Sequence, residues 1–100
     1  MVLNLNVNDA AIADLCARHR IRKLSLFGSV LRHDFGPDSD VDVLVRFEPG
    51  VPVGFRIFDI EDELCRLFGG RRVDIVNEKY LNPRLRDRIL AEAVVQYAEG

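Results

Sequence analysis

The chain has 100 residues, 48% hydrophobic and 30% charged, with a net charge of −2 and no Trp. That length supports one globular domain over residues 1–100 with one modest core, and leaves no room for a second domain to hold a large substrate. The acidic balance and scarce aromatics argue against direct nucleic-acid binding, and the lack of a long apolar run or a leader peptide suggests a cytoplasmic protein without membrane contact.

Asn8 or Asp9 is suited to cap a helix running to about His19, in which Ile12, Leu15 and Cys16 recur at helical spacing. A strand is predicted from Ile21 to Phe27, ending abruptly at Gly28-Ser29, with a short helical segment from Val30 to about His33. Residues 35–39, Phe-Gly-Pro-Asp-Ser, form a turn by composition. The second strand runs from Asp40 to Phe47 and is broken by Glu48-Pro49-Gly50-Val51-Pro52. A helix is predicted from about Gly54 to Phe68, burying Ile57, Ile60 or Phe58, Leu64, Leu67 and Phe68, and stopped by Gly69-Gly70. The third strand covers Arg72 to Val76. Asn82-Pro83 then opens a last helix with Leu85, Ile89, Ala93 or Val94, and Tyr97 on one face. The predicted order is α-β-α-β-α-β-α, a small sheet with helices packed on it.

Cys16 and Cys65 lack metal-ligand spacing and read as small core residues. His19 and His33 read as surface residues. The basic clusters Arg20, Arg22 and Lys23, then Arg71 and Arg72, then Arg84, Arg86 and Arg88 read as solvated faces among interspersed acids. Arg84 and Arg86 are also candidates to face a partner.

The acids within the strands have a bland reading too, solvated acids of an edge strand, which accounts for Asp40 and Asp42 better than for all three with Asp74. Alternate strand residues share a face, so Asp40 and Asp42 point one way and Val41, Val43 and Val45 the other. Asp74 likewise opposes Val73 and Ile75. Strands disfavour Asp, and clustered carboxylates repel unless a positive charge sits among them. If the two strands are neighbours, the three acids converge, and Mg²⁺ suits such a site because substrate phosphates and waters complete its shell. A pair of such ions activates an attacking hydroxyl and holds a leaving pyrophosphate. Gly28-Ser29 adds a point of close backbone approach, exposed N–H groups at a helix start and a hydroxyl, all suited to phosphate oxygens.

Gly28-Ser29, the ten residues 30–39 and Asp40-Val41-Asp42 together resemble the GSx10DxD signature of the polymerase-beta-type nucleotidyltransferases. The strings Leu26-Phe27-Gly28-Ser29-Val30-Leu31-Arg32, residues 37–45, Gly70-Arg71-Arg72-Val73-Asp74-Ile75-Val76 and Leu81-Asn82-Pro83-Arg84-Leu85-Arg86 are similar to its minimal nucleotidyltransferase branch. The resemblance implies an α+β nucleotidyltransferase (polymerase-beta-like) fold, a small mixed β-sheet flanked by helices. It implies Asp40, Asp42 and Asp74 as catalytic metal ligands for Mg²⁺, two ions, with Asp74 helping to activate the acceptor hydroxyl. Gly28 and Ser29 would contact the triphosphate of ATP, with Arg32 and Ser39 as further nucleotide-binding positions. His33 stands where many relatives have Gly, a departure that touches the loop shape and not the metal site.

Members of this branch are commonly antitoxins paired with HEPN toxins, which are helical ribonucleases. The resemblance therefore implies AMP transfer from ATP to a tyrosine of a HEPN partner, whose added anionic group would block an RNA-cleaving site. The size of the chain fits, since the acceptor-binding half is then a second protein. Two other classes compete: an antitoxin that works by binding and occlusion without catalysis, and a small-molecule nucleotidyltransferase, whose known forms usually carry an added helical domain.

Overall fold

The computed structural model describes residues 5, 7–36 and 38–99. In chain order they form α1 (Asp9–His19), β1 (Ile21–Phe27), a 3₁₀ turn (Gly28–Leu31), β2 (Val41–Phe47), α2 (Arg56–Leu67), β3 (Val73–Asn77), a second 3₁₀ turn (Glu78–Tyr80), α3 (Pro83–Glu92) and β4 (Val94–Ala98). Asn8 caps α1 by accepting the Ala11 N–H at 3.1 Å, and Arg20 ends the helix in the left-handed region. The sheet order is β3-β2-β1-β4, with β1 antiparallel to both β2 and β4, and β2 parallel to β3. A parallel pair needs a crossover connection, and the segment carrying α2 supplies it.

The register sorts the strand residues into two faces. Leu24 opposes Val45 and Leu26 opposes Val43, and all four are buried against Ile12, Leu15 and Cys16 of α1 and Ile60 and Leu64 of α2. The other face carries Ser25 opposite Leu44, Phe27 opposite Asp42, and Asp42 opposite Asp74.

Several sequence expectations change here. The last helix ends at Glu92, because Ala93 turns extended and the chain enters a fourth strand. Val94 and Tyr97 therefore belong to β4, paired with Leu26 and Leu24, and Tyr97 packs on the core through a sheet. The segment after Gly28 is a 3₁₀ turn ending at Leu31. Phe58 and Leu67 point outward from α2, whose buried side is Ile60 and Leu64 with Phe68 beyond its end. Cys16 is buried and Cys65 half-buried, both as free thiols. His19 is half-buried; its ring lies 2.6 Å from Glu63, which also pairs with Arg18 and so ties α1 to α2. Pro37 of the predicted turn lies outside the described residues. Among the described residues, no helix is long and apolar enough to cross a membrane.

Candidate active site

The end of β1 and the start of β2 meet at one tight point. Phe27 is the register partner of Asp42, and the next residue, Gly28, has φ +68°, a left-handed conformation that costs a residue with a Cβ about 1–2 kcal/mol. A Cβ at Gly28 would also lie 3.2 Å from Asp42 Cγ and collide with Oδ2. Glycine is thus required twice, for the turn and for the approach of backbone to carboxylate. Ser29 then orients the acid: its N–H donates to Asp42 Oδ2 at 3.2 Å. Its hydroxyl donates to the Asp40 carbonyl at 2.5 Å and sits 3.3 Å from Asp42 Oδ2. Buried Val30 anchors the turn below.

Asp74 is the direct register partner of Asp42 in the parallel β2–β3 pair. The two share a face on strands about 4.8 Å apart. Asp42 is half-buried and Asp74 exposed. Asp40 precedes the first rung, formed where the Val41 N–H donates to the Arg72 carbonyl at 2.8 Å. Asp40 and Asp74 line a cavity of about 190 Å³ with Glu61, Asp62, Cys65 and Arg72. Asp42 instead lines a cavity of about 650 Å³ with Gly28, Ser29, Leu31, Arg32, Arg88 and Glu92.

The three acids expected to converge do not form one cluster: Asp42 and Asp74 are a registered pair, and Asp40 stands at the strand's start. Among the described residues, no three His, Cys, Asp or Glu side chains are grouped closely enough to hold an ion. Asp40 is set apart because it lies outside the paired strand, its carbonyl held by Ser29. Mg²⁺ characteristically needs only one or two protein carboxylates beside phosphates and water. Asp42 and Asp74, register partners on one face of the sheet, are two such carboxylates, so the donor set fits that ion.

The remaining candidates divide. Arg32 lines the larger cavity and faces Asp34 at 3.8 Å. Ser39 is not on that wall; its hydroxyl accepts the Gly36 N–H at 3.0 Å and its own N–H donates to the Gly36 carbonyl, closing the loop ahead of Asp40. Arg71 fastens the same loop, donating to the Gly36 carbonyl with its guanidinium 4.6 Å from the Phe35 ring centroid. The N–H of Ser29, expected to be open to phosphate, is engaged by Asp42. His33 is exposed. Arg86 reaches the Glu78 carbonyl at 3.4 Å with its Nε buried, so it belongs to the framework, whereas Arg84 is exposed. Arg88 and Glu92 are cavity residues that the sequence did not single out; their only signal was Arg88's membership of a basic cluster.

Residues 9–95 match the family model described as Nucleotidyltransferase domain. The chain is similar to Protein adenylyltransferase MntA of Thermococcus cleftensis, 36% identical over 81 residues, covering 81% of this chain and 80% of the relative. It is also similar to a solved structure provisionally described as a minimal nucleotidyltransferase, 43% identical with a TM-score of 0.72 over 86% of each chain. The same fold recurs in a crystal structure of a toxin–antitoxin with AMP-PNP, 17% identical with a TM-score of 0.72 over 92% of this chain and 74% of that one.

Proposed function

The chain belongs to the nucleotidyltransferase domain family, and from that premise we propose that it is an antitoxin transferring AMP from ATP to a tyrosine of a partner HEPN ribonuclease toxin. The observation that carries this reading is the registered pair Asp42 and Asp74 beside the Gly28-Ser29 turn. The name of the MntA relative supplies the protein acceptor, and the toxin–antitoxin structure with AMP-PNP supplies the nucleotide and the kind of partner.

In this mechanism Gly28 lets the Asp42 carboxylate lie against the turn, and Ser29 fixes it there beside the phosphate chain. Asp42 and Asp74, with Asp40 at the start of β2, would hold Mg²⁺, which when bound neutralises phosphate charge and polarises the reacting oxygens. Asp74, the more exposed acid, draws the proton from the acceptor hydroxyl. The acceptor oxygen bonds to the α-phosphorus as the bond from that phosphorus to the bridging oxygen breaks. Pyrophosphate leaves with that electron pair, and Asp74 returns its proton to solvent.

The test is transfer of α-labelled AMP to the purified partner in the presence of Mg²⁺. Wild type labels the toxin, and Asp74→Asn loses on the order of 10²–10⁴-fold in rate, the usual worth of a general base. Full transfer by Asp74→Asn overturns the mechanism. Toxin neutralised with no label transferred leaves occlusion as the function, and label on an aminoglycoside in place of the protein leaves small-molecule transfer.

A further inference from the structure

We propose that Arg88 of α3 binds the nucleotide's phosphate chain beyond the α-phosphate, and that Glu92 holds this arginine when no nucleotide is present. The inference rests on the nucleotidyltransfer reading above and adds a second wall to its site. The wall on the β1 side consists of Gly28, Ser29, Leu31 and Arg32; the opposite wall is the last turn and a half of α3, through Arg88 and Glu92. At about 650 Å³ the space between them is of the size that holds small-molecule ligands.

The charges on these walls decide what each can do. Ser29 already donates its N–H to Asp42, so that donor is not open to phosphate. The C-terminal end of α3 presents the negative pole of a helix, and Glu92 adds a carboxylate there. Left alone, that wall repels a polyphosphate. Arg88 reverses its sign, and a guanidinium offers the planar fork that matches phosphate oxygens. Its present partner is weak: Nε stands 3.8 Å from Glu92 Oε1, with the two side chains 79% and 59% exposed. An exposed pair of this kind contributes little, so replacing Glu92 by phosphate costs little. The other arginines of α3 are placed differently, since neither Arg84 nor Arg86 lines this cavity. No residue of α3 is buried, so Arg88 is not part of the core.

The experiment is titration calorimetry of the full chain with Mg·ATP, Mg·ADP and AMP, paired with KM and kcat for transfer. Arg88→Gln should weaken Mg·ATP about ten-fold, the usual worth of a charge-assisted hydrogen bond, while AMP binding stays near wild type. KM should rise more than kcat falls, and Arg88→Lys should recover part of the loss. Glu92→Gln should tighten Mg·ATP slightly by removing a carboxylate that repels phosphate, which a merely structural pair would not do. Unchanged ATP affinity in Arg88→Gln, or an equal loss for ATP and AMP, overturns the proposal while wild-type binding keeps the parent reading intact. A wild-type chain that binds no Mg·ATP overturns the parent reading itself, and this one with it.

Discussion

On the face of the sheet covered by α1 and α2, Leu24, Leu26, Val41, Val43 and Val45 are all buried, each in contact with one apolar cluster. On the opposite face the same two strands present Phe27, Asp42 and Arg46 around the buried pair Ser25 and Leu44, β3 adds Asp74, and no residue of α3 is buried. One face is therefore a core and the other a site, divided by the two-residue alternation of a single strand, β2. The difference teaches where stability and chemistry reside. Burial of aliphatic side chains, at about 25 cal/mol per Å² of apolar surface, stabilises the first face. The second keeps carboxylates side by side, an arrangement that repels in the absence of a cation.

The sharpest way to break this comparison is to change one residue on each face and read both stability and binding. Leu64→Ala removes a fully buried side chain and should cost about 2–5 kcal/mol, lowering Tm by ten degrees or more in a thermal melt. Asp42→Asn should lose Mg·ATP affinity and transfer yet melt at or slightly above the wild-type temperature, because it removes one of two neighbouring negative charges. If Asp42→Asn melts as early as Leu64→Ala, the acid is structural and the division between faces fails.

Gly28→Ala tests the seam where the two faces meet, and its expected effect is intermediate. The left-handed backbone costs about 1–2 kcal/mol with a Cβ present, and the Asp42 carboxylate must move aside. Tm should fall by several degrees and Mg·ATP affinity should fall with it. A variant with wild-type affinity would show that the position of Asp42 beside the turn does not matter for the nucleotide.

The same division explains what was legible in the sequence. Alternation within Asp40–Phe47 announced the two faces of β2 before any pairing was known, and Gly28-Ser29 marked the end of β1 because a left-handed glycine has no substitute there. Asp74 needed one further assumption, that β3 neighbours β2, and the register meets it. The ending was misread because Val94 and Tyr97 are spaced three apart, as suits a helix, while their actual partners in β1 lie about seventy residues away along the chain. No Gly or Pro punctuates Ala93 to mark the change. Arg88 and Glu92 were invisible as site residues for a related reason: their i, i+4 spacing reads as an ordinary exposed helix pair until α3 is placed beside Gly28.

The smallest effect belongs to the ion pairs behind the core face, where Glu63 joins Arg18 at 2.8 Å and His19 at 2.6 Å. Burial pushes the Glu63 carboxyl up, but the hydrogen bonds from His19 and Arg18 together outweigh it and hold the group below its ordinary value of 4.5. A carboxyl depressed in the folded state stabilises fully above its unfolded pKa, and that contribution disappears as pH falls through the folded value. Wild type should therefore melt a few degrees above Glu63→Gln at pH 7, with the gap closing only below about pH 4.5. The gap should narrow in high salt, since both partners of the Arg18 pair remain partly open to water. Because the cluster ties α1 to α2 and touches no residue of the Asp42 cavity, Glu63→Gln should leave Mg·ATP affinity unchanged at every pH. An affinity change in that variant would mean that the two faces communicate through the sheet, and the separation drawn between them would have to be abandoned.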